Sequence, residues 1–337
     1  MKTPENYDYL AYRVSKDEAG HFTRSVQSLN TGMLPPGEVL IRVIYSGLNY
    51  KDALSAFGHP GVTRNYPHTP GIDAAGIVEW SSSADLSAGD QVIVTSYDLG
   101  MDTDGGFGQF IRVPSEWVIR LPEGMSLRES MIAGTAGLTA AQGVYSLLEA
   151  GQKPESGPLI VTGARGAVGS FAVLLLARLG FRVIAAVSKL ADDTDKLKDL
   201  GADDVIDSEI TDDRSGKALI RPLWSGGFDT VGDNTLATIL KACQYGGKII
   251  SVGNVSSGKL NTTVFPFIIR GISLIGVATQ ETPMALRNKL WNKLAGEWKL
   301  PEAEKFTTEA GLNELDPYLN RMINKGSRGR ILLNLWK

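Results

Sequence analysis

Cysteine is almost absent from this 337-residue chain: Cys243 stands alone. A single thiol forms no internal disulfide and builds no four-cysteine zinc lobe, which suits a reducing cytoplasm. Histidine is nearly as scarce. His21, His59 and His68 are the only three. The last two fall in a Pro/Gly-rich stretch with no thiol or carboxylate at ligand spacing, so they read as surface loop histidines and no metal site is expected. Charge of one sign is lacking too. The net charge is −3 with no basic stripe, which excludes nucleic acid as a partner. Long apolar runs are also missing. The longest apolar region, residues 168–187, is broken by Arg178, Gly180 and Arg182; it reads as a buried helix and a buried strand, and no membrane span is expected. The start, residues 1–8, has no apolar h-region and does not read as a signal peptide. Repeats and low-complexity segments are absent.

Apolar residues are plentiful, at 43%, enough for about two domains with separate cores. Short alternating segments dominate the first third. Val39–Ser46, Ala75–Trp80 and Gln91–Thr95 read as strands punctuated by Pro35-Pro36-Gly37, Pro70-Gly71 and Gly105-Gly106, which predicts a β domain of barrel type. From Pro122-Glu123-Gly124 onward, helical segments alternate with short apolar strands at Pro158–Thr162, Arg182–Val187, Asp204–Asp207, Phe228–Val231, Lys248–Val252 and Ser273–Val277. That alternation predicts an α/β Rossmann domain with a doubly wound parallel sheet. The expected limits are 1–125 for the first domain, 126–296 for the Rossmann domain, and 297–337 for a tail returning to the first domain. The closing strand of that tail falls near Arg330–Leu335.

The segment Leu159-Ile160-Val161-Thr162-Gly163-Ala164-Arg165-Gly166-Ala167-Val168-Gly169 carries the strongest signal. An apolar strand ends in a glycine-rich turn, and an apolar helix follows to Leu179. In this context Gly163 permits the sharp turn, Gly166 lets backbone N–H groups approach a diphosphate, and Gly169 lets helix and strand pack closely. The helix N-terminus adds unpaired N–H groups and partial positive charge. At the end of the next strand, an Asp or Glu would favour NAD by binding the ribose 2′-hydroxyl. The chain has Ser188 and Lys189 there, a hydroxyl and an ammonium that suit the 2′-phosphate of NADP. Asp192 and Asp193, a few residues on, keep NAD open.

Several segments resemble the zinc-free medium-chain dehydrogenases/reductases. Ser46-Gly47-Leu48-Asn49-Tyr50-Lys51-Asp52-Ala53-Leu54 is similar to their Asn-Tyr-Lys-Asp signature, and Pro70–Gly76 is similar to the segment that follows it. Gly134–Ala140 looks like the helix leading into their cofactor domain. Val264–Gly271 and Gly326-Ser327-Arg328-Gly329-Arg330 narrow the resemblance to the YhdH/YhfP-type branch of acryloyl-CoA reductases and quinone oxidoreductases. The resemblance implies a GroES-like β-barrel domain joined to a Rossmann domain, a site in the cleft between them, NADPH as cofactor, and a homodimer formed through the cofactor domains. It implies cofactor contacts at Tyr50, Thr135, Thr139, Gly163, Arg165, Gly166, Ala167, Val168, Ser188, Lys189, Asn254, Ile268, Thr279 and Arg328. Close relatives carry an arginine after the third Rossmann strand where this chain has Ser208, which leaves fewer charges for a 2′-phosphate.

Asn49 or a neighbour would stand where zinc-using relatives place a cysteine, and Asp73 lies near their His-Glu position. Without a Lewis acid, oxidation of a simple alcohol loses its electrophilic help, so reduction of an activated double bond fits better. The expected reaction is hydride addition to the β-carbon of an α,β-unsaturated acyl thioester, with donors stabilising the enolate oxygen. The candidate catalytic residues are Asn49, Tyr50, Lys51, Asp52 and Asp73. Backbone N–H groups of residues 49–51 or the Asn49 amide are candidate oxyanion donors. Tyr50 or a water would protonate the α-carbon, or Tyr50 would only pack on the nicotinamide. Lys51 and Asp52 could pair locally, and Asp73 could order its loop rather than move protons. Arg64 reads as a surface arginine. An NADPH-dependent quinone or enone reductase is the alternative enzyme, and a nucleotide-binding protein without turnover the alternative of another class.

Overall fold

The computed structural model describes residues 5–188, 190–324, 326 and 328–337, with Ala191 and Asp192 described by their backbone alone. The chain divides into two compact units: Met1–Thr135 with Gln280–Gly296 and Glu304–Lys337, and Ala136–Thr279 with Glu297–Ala303.

The first unit contains β1 (Asp8–Lys16), β2 (Phe22–Asn30), β3 (Val39–Gly47), α1 (Tyr50–Ala56), β4 (Asp73–Ser81), β5 (Gln91–Thr95), β6 (Phe110–Val113) and β7 (Val118–Arg120). Helix α2 (Leu127–Glu149) leads out of it. The second unit holds β8 (Leu159–Thr162), α3 (Ala167–Arg178), β9 (Val183–Val187), α4 (Leu190–Asp199), β10 (Asp204–Asp207), β11 (Trp224–Asp229), α5 (Asp233–Lys241), β12 (Cys243–Ser251), α6 (Phe265–Arg270) and β13 (Ser273–Gly276). The chain then supplies the first unit again with α7 (Met284–Ala295), β14 (Thr307–Ala310), α8 (Leu315–Ile323) and β15 (Arg330–Asn334).

The first unit is built on a seven-stranded sheet in the order β14-β15-β3-β4-β5-β7, with β6 also paired to β3, beside a β1–β2 hairpin. Strand β3 turns one apolar face to the core. Val39, Ile41 and Val43 pack with Val78, Val94 and Ile111 and with Leu315 and Leu319 of α8. The closing strand β15 runs antiparallel to β3, Leu332 opposite Gly47.

The second unit carries a six-stranded parallel sheet in the order β10-β9-β8-β11-β12-β13. This is the doubly wound Rossmann order, in which the chain reverses direction between β8 and β11 and a ligand crevice opens at the strand ends there. Helix α3 buries Phe171 through Leu176, and Trp224, Ile239, Leu240 and Ile249 fill another part of the core.

Two differences from the sequence reading have physical causes. The strand expected at Phe228–Val231 runs from Trp224 to Asp229. Gly226 and Gly227 weaken a sequence-level strand signal, yet a Cβ at Gly226 would lie 2.7 Å from the Lys248 carbonyl oxygen, so the close neighbours require glycine. The strand ends where the Asp229 carboxylate accepts the N–H groups of Val231 and Gly232. The unit limits also differ from the expected 125 and 296. Residues 280–296 belong with the first unit because Arg287 of α7, wholly buried, donates to the carbonyl and hydroxyl oxygens of Thr95. Residues 126–135 belong there because Arg330 donates to the carbonyls of Met131 and Ile132.

Candidate active site and nucleotide cradle

The turn after β8 divides its three glycines by role. Gly163 has φ +61°, and a Cβ there would meet Thr230 Oγ1 at 2.3 Å. A Cβ at Gly169 would meet the Gly163 carbonyl oxygen at 2.4 Å, so helix α3 can sit on the turn only without a side chain. Gly166 differs. It has ordinary extended backbone (φ −75°, ψ 162°) as the N-cap of α3, and its nearest contact would be the Gly163 carbonyl oxygen at 3.3 Å. The fold crowds Gly166 less than Gly163 or Gly169, and its position at the N-terminus of α3 is where a diphosphate meets helix N–H groups in Rossmann domains. Ala167 and Val168 open the helix beside it.

The other expected cofactor residues are spread over both units. Arg165 sits in the turn and faces Asp193 of α4 at 3.6 Å. Asp193 is therefore buried toward the turn rather than displayed at the end of β9. Ser188, just past β9, is exposed, and Lys189 lies outside the described residues. Ser208 follows β10. Thr139 of α2 and Thr279 after β13 are brought together, their hydroxyls 2.8 Å apart. Asn254, Ile268 of α6 and Arg328 are exposed. Thr135 belongs to a different cluster, within the first unit.

That cluster is built around a buried ion pair. Asp73, at the start of β4, and Arg330, at the start of β15, are both fully shielded and lie 2.9 Å apart. Asp73 also accepts the N–H and hydroxyl of Thr135 and the Asn49 side-chain amide at 2.8 Å. Arg330 donates further to the Leu48 carbonyl and to Asn49 Oδ1. Two glycines make room for the pair. A Cβ at Gly47 would lie 1.7 Å from the guanidinium. At Gly134, where φ is +50° and α2 kinks, it would lie 2.0 Å from Arg330 and 2.3 Å from Asp73. The Asn49 amide is thus committed on both ends, to Arg330 through oxygen and to Asp73 and Gly47 through nitrogen, and it is not available to stabilise an oxyanion.

Asp52 faces inward from α1. Its carboxylate accepts the N–H groups of Asn49 and Ile72 at 2.7 and 2.9 Å. Burial pushes its pKa up to about 7, with the nearby Asp73 charge adding to the effect and the two N–H groups and Arg330 opposing it. Lys51 does not pair with Asp52. Its ammonium donates to the side-chain oxygen of Gln280, and burial lowers its pKa while Asp52 and Glu281 act in the opposite sense. Tyr50 opens α1 with 36% of its surface exposed, and its hydroxyl has no hydrogen-bond partner among the described residues.

Sequence reasoning missed Gln280, Arg287 and Arg330 as parts of this site. Arg330 was visible as part of a motif, but nothing local says that its side chain turns inward. Arg287 lies 4.5 Å from the ring of Tyr97, and Ser96 and Tyr97 both have positive φ, 65° and 52°. Ser96 Oγ is 3.1 Å from Thr135 Oγ1, so this strained turn borders the cluster. His68 is a correction. It is buried, its Nε2 lies 2.9 Å from the Gly100 carbonyl oxygen, and burial lowers its pKa. His59 is exposed as expected. Arg64 is a surface residue, bound to Asp102 at 2.7 Å.

Residues 35–123 match the alcohol dehydrogenase GroES-like domain family, and residues 167–295 match the zinc-binding dehydrogenase family. YhfP of Bacillus subtilis (strain 168), which carries a provisional quinone-oxidoreductase name, is 40% identical over 92% of this chain and 94% of its own. Its crystal structure with NAD bound superposes with a TM-score of 0.94 over 98% of this chain and 100% of that one, at 38% identity. The acrylyl-CoA reductase AcuI of Ruegeria pomeroyi is 38% identical over 97% of this chain and 99% of its own. The yhdH oxidoreductase of Salmonella enterica, solved with NADP, gives a TM-score of 0.92 at 37% identity, covering 97% of this chain and 99% of that one. The chain belongs to the medium-chain dehydrogenases/reductases, in the branch that holds YhfP and AcuI.

The family name raises zinc, and the residues present do not fit it. Among the described residues no three His, Cys, Asp or Glu side chains gather as a ligand set. Asn49 is committed to protein partners, Asp73 is occupied by three residues, and Cys243 is buried in β12. No helix among the described residues is long and apolar enough to cross a membrane.

Proposed function

We propose that this protein is an NADPH-dependent oxidoreductase that reduces the activated C=C bond of an α,β-unsaturated acyl thioester of the acryloyl-CoA type. The observation that carries the reading is the Gly163–Gly169 turn: it joins β8 to α3 at the switch point of a Rossmann sheet, and Gly166, the N-cap of α3, has the least crowded surroundings of its three glycines. Relatives at 37–40% identity named as oxidoreductases, with structures holding NADP and NAD, support it.

Gly163, Arg165, Gly166, Ala167 and Val168 would hold the diphosphate; Ser188 and Lys189 would meet the 2′-phosphate; Thr135, Thr139, Asn254, Ile268, Thr279 and Arg328 would complete the cofactor contacts. NADPH, when bound, supplies hydride for the β-carbon of the substrate. The residues of the Asn49–Asp52 segment then have two tasks. Backbone N–H groups of Tyr50 and Lys51 are the donors left to polarise the carbonyl oxygen as charge grows there. The buried Asp52, Asp73 and Arg330 hold that segment in place rather than move protons. Donors fixed before the reaction lower the barrier without reorganising during it.

The protein would act as a cytoplasmic homodimer on a small-molecule substrate. The single buried Cys243 suits a reducing compartment. The dimer reading is supported by the outer strand β13 and by helix α6 with its N-cap, where Val264, Phe265, Ile268 and Ile269 are exposed, the kind of apolar patch that marks a subunit contact. The function is tested by steady-state NADPH oxidation with acryloyl-CoA, crotonyl-CoA and benzoquinones side by side. Preference for a quinone favours the alternative reductase, and NADPH binding without turnover on any of them favours a non-catalytic role.

A further inference from the structure

The five candidate catalytic residues, Asn49, Tyr50, Lys51, Asp52 and Asp73, differ in whether they can hand over a proton. Asp52 and Asp73 are wholly buried, and their oxygens are taken up by backbone and side-chain donors. The Asn49 amide is engaged at both ends. Tyr50 and Lys51 remain. The Tyr50 hydroxyl has nothing to hold it among the described residues. A proton donor serves an atom it can reach by a hydrogen bond, and an ammonium of fixed direction can be presented to one place: that of Lys51 donates to Gln280 Oε1. Gln280 is itself fixed, because its backbone carbonyl accepts from the buried Arg287 at 3.1 Å.

We propose that Lys51 supplies the proton that completes the reduction and that Gln280 is the residue that positions it. This rests on the function proposed above. The balance is simple. Hydride from the nicotinamide bonds to the β-carbon, and the π electron pair moves to the α-carbon and carbonyl oxygen as an enolate. One N–H bond of the Lys51 ammonium breaks as the C–H bond at the α-carbon forms. The cofactor is oxidised and the double bond reduced, and the neutral amine regains a proton from water.

The choice of an amide at position 280 matters chemically. A carboxylate there would hold the lysine equally well but would stabilise its cation, making it a poorer acid. The neutral Gln280 orients the ammonium and leaves burial free to lower its pKa, against the opposing charges of Asp52 on α1 and Glu281 beside Gln280. Acid catalysis is most effective when the donor's pKa is near the working pH.

The test pairs kinetics with a readout that needs no turnover. Lys51→Met should lower kcat with acryloyl-CoA by about 10²-fold or more, while NADPH affinity measured by calorimetry stays within about threefold. Gln280→Glu should move the basic limb of the kcat profile to higher pH. In the cofactor-free protein, competitive labelling of lysines with acetic anhydride across pH should report a Lys51 pKa below that of ordinary lysines, and a higher one in Gln280→Glu. Retention of kcat within about threefold in a folded Lys51→Met variant overturns the donor role. An unmoved pH profile and labelling curve in Gln280→Glu overturn the role of Gln280. Wild-type Lys51 titrating like an exposed lysine overturns the proposal with no substitution at all. Wild-type protein that oxidises NADPH with none of the substrates defeats the parent reading of function as well, whereas turnover surviving in Lys51→Met defeats this inference alone.

Discussion

Arg330→Met isolates the contribution of the buried pair. Methionine fills much of the arginine's volume, so the loss is mainly polar. Asp73 is left without its cation, and the carbonyls of Leu48, Met131 and Ile132 and Asn49 Oδ1 each lose a donor. Removing one partner of a buried pair costs about 3–5 kcal/mol, because the other charge is stranded. Asp73 keeps its bonds from Thr135 and Asn49, which holds the expected loss near the middle of that range, about 4 kcal/mol. For a unit of this size that lowers the unfolding temperature by roughly 8–16 °C. Differential scanning calorimetry should show the drop in the transition of the first unit and leave the Rossmann unit's transition in place. Adding Asp73→Asn should restore about 1–2 kcal/mol, since no charge is then stranded. A single variant within about 1 kcal/mol of wild type, or a double variant whose loss is the plain sum of the singles, would refute the view of Asp73 and Arg330 as one unit.

Three further outcomes are expected. Gly166→Ala, whose Cβ would approach the Gly163 carbonyl oxygen at 3.3 Å, should cost clearly less stability than Gly169→Ala, at 2.4 Å, but weaken NADPH binding by about tenfold or more, whereas Gly169→Ala should cost about 2 kcal/mol or more of stability; equal effects of the two on stability would contradict the division of roles. Lys189→Ala should weaken NADPH binding by about tenfold or more and NADH binding little, and equal losses in paired titrations would remove the 2′-phosphate assignment. The carboxyl of Asp52 titrates near 7 in the folded chain and near 4 unfolded. The native state therefore binds more protons between those values, and this group makes the fold less stable as pH rises through that window, by about 1.4 kcal/mol per unit of separation. Asp52→Asn removes that dependence, so its stability relative to wild type should climb from pH 5 to 7.5 in parallel unfolding curves; a flat difference would show that burial does not hold the proton on Asp52.

The sequence by itself determined the two architectures, the parallel sheet and its glycine turn. These are local matters: strand and helix periods, the backbone freedom at Gly163 and the missing side chain at Gly169 follow from residues adjacent along the chain. It also marked Asn49–Asp52 as a polar segment of interest. Tertiary structure alone decided what those side chains do. Arg330 stands 257 positions from Asp73, and Gln280 stands 229 from Lys51. Pattern along the chain carries no information on partners that distant. The direction a side chain takes, and so whether a carboxylate is a buried strut or an exposed acid, is set by the space that other segments leave for it. His68 is the plain case: its Pro/Gly surroundings read as open loop, and only the fold closes over it.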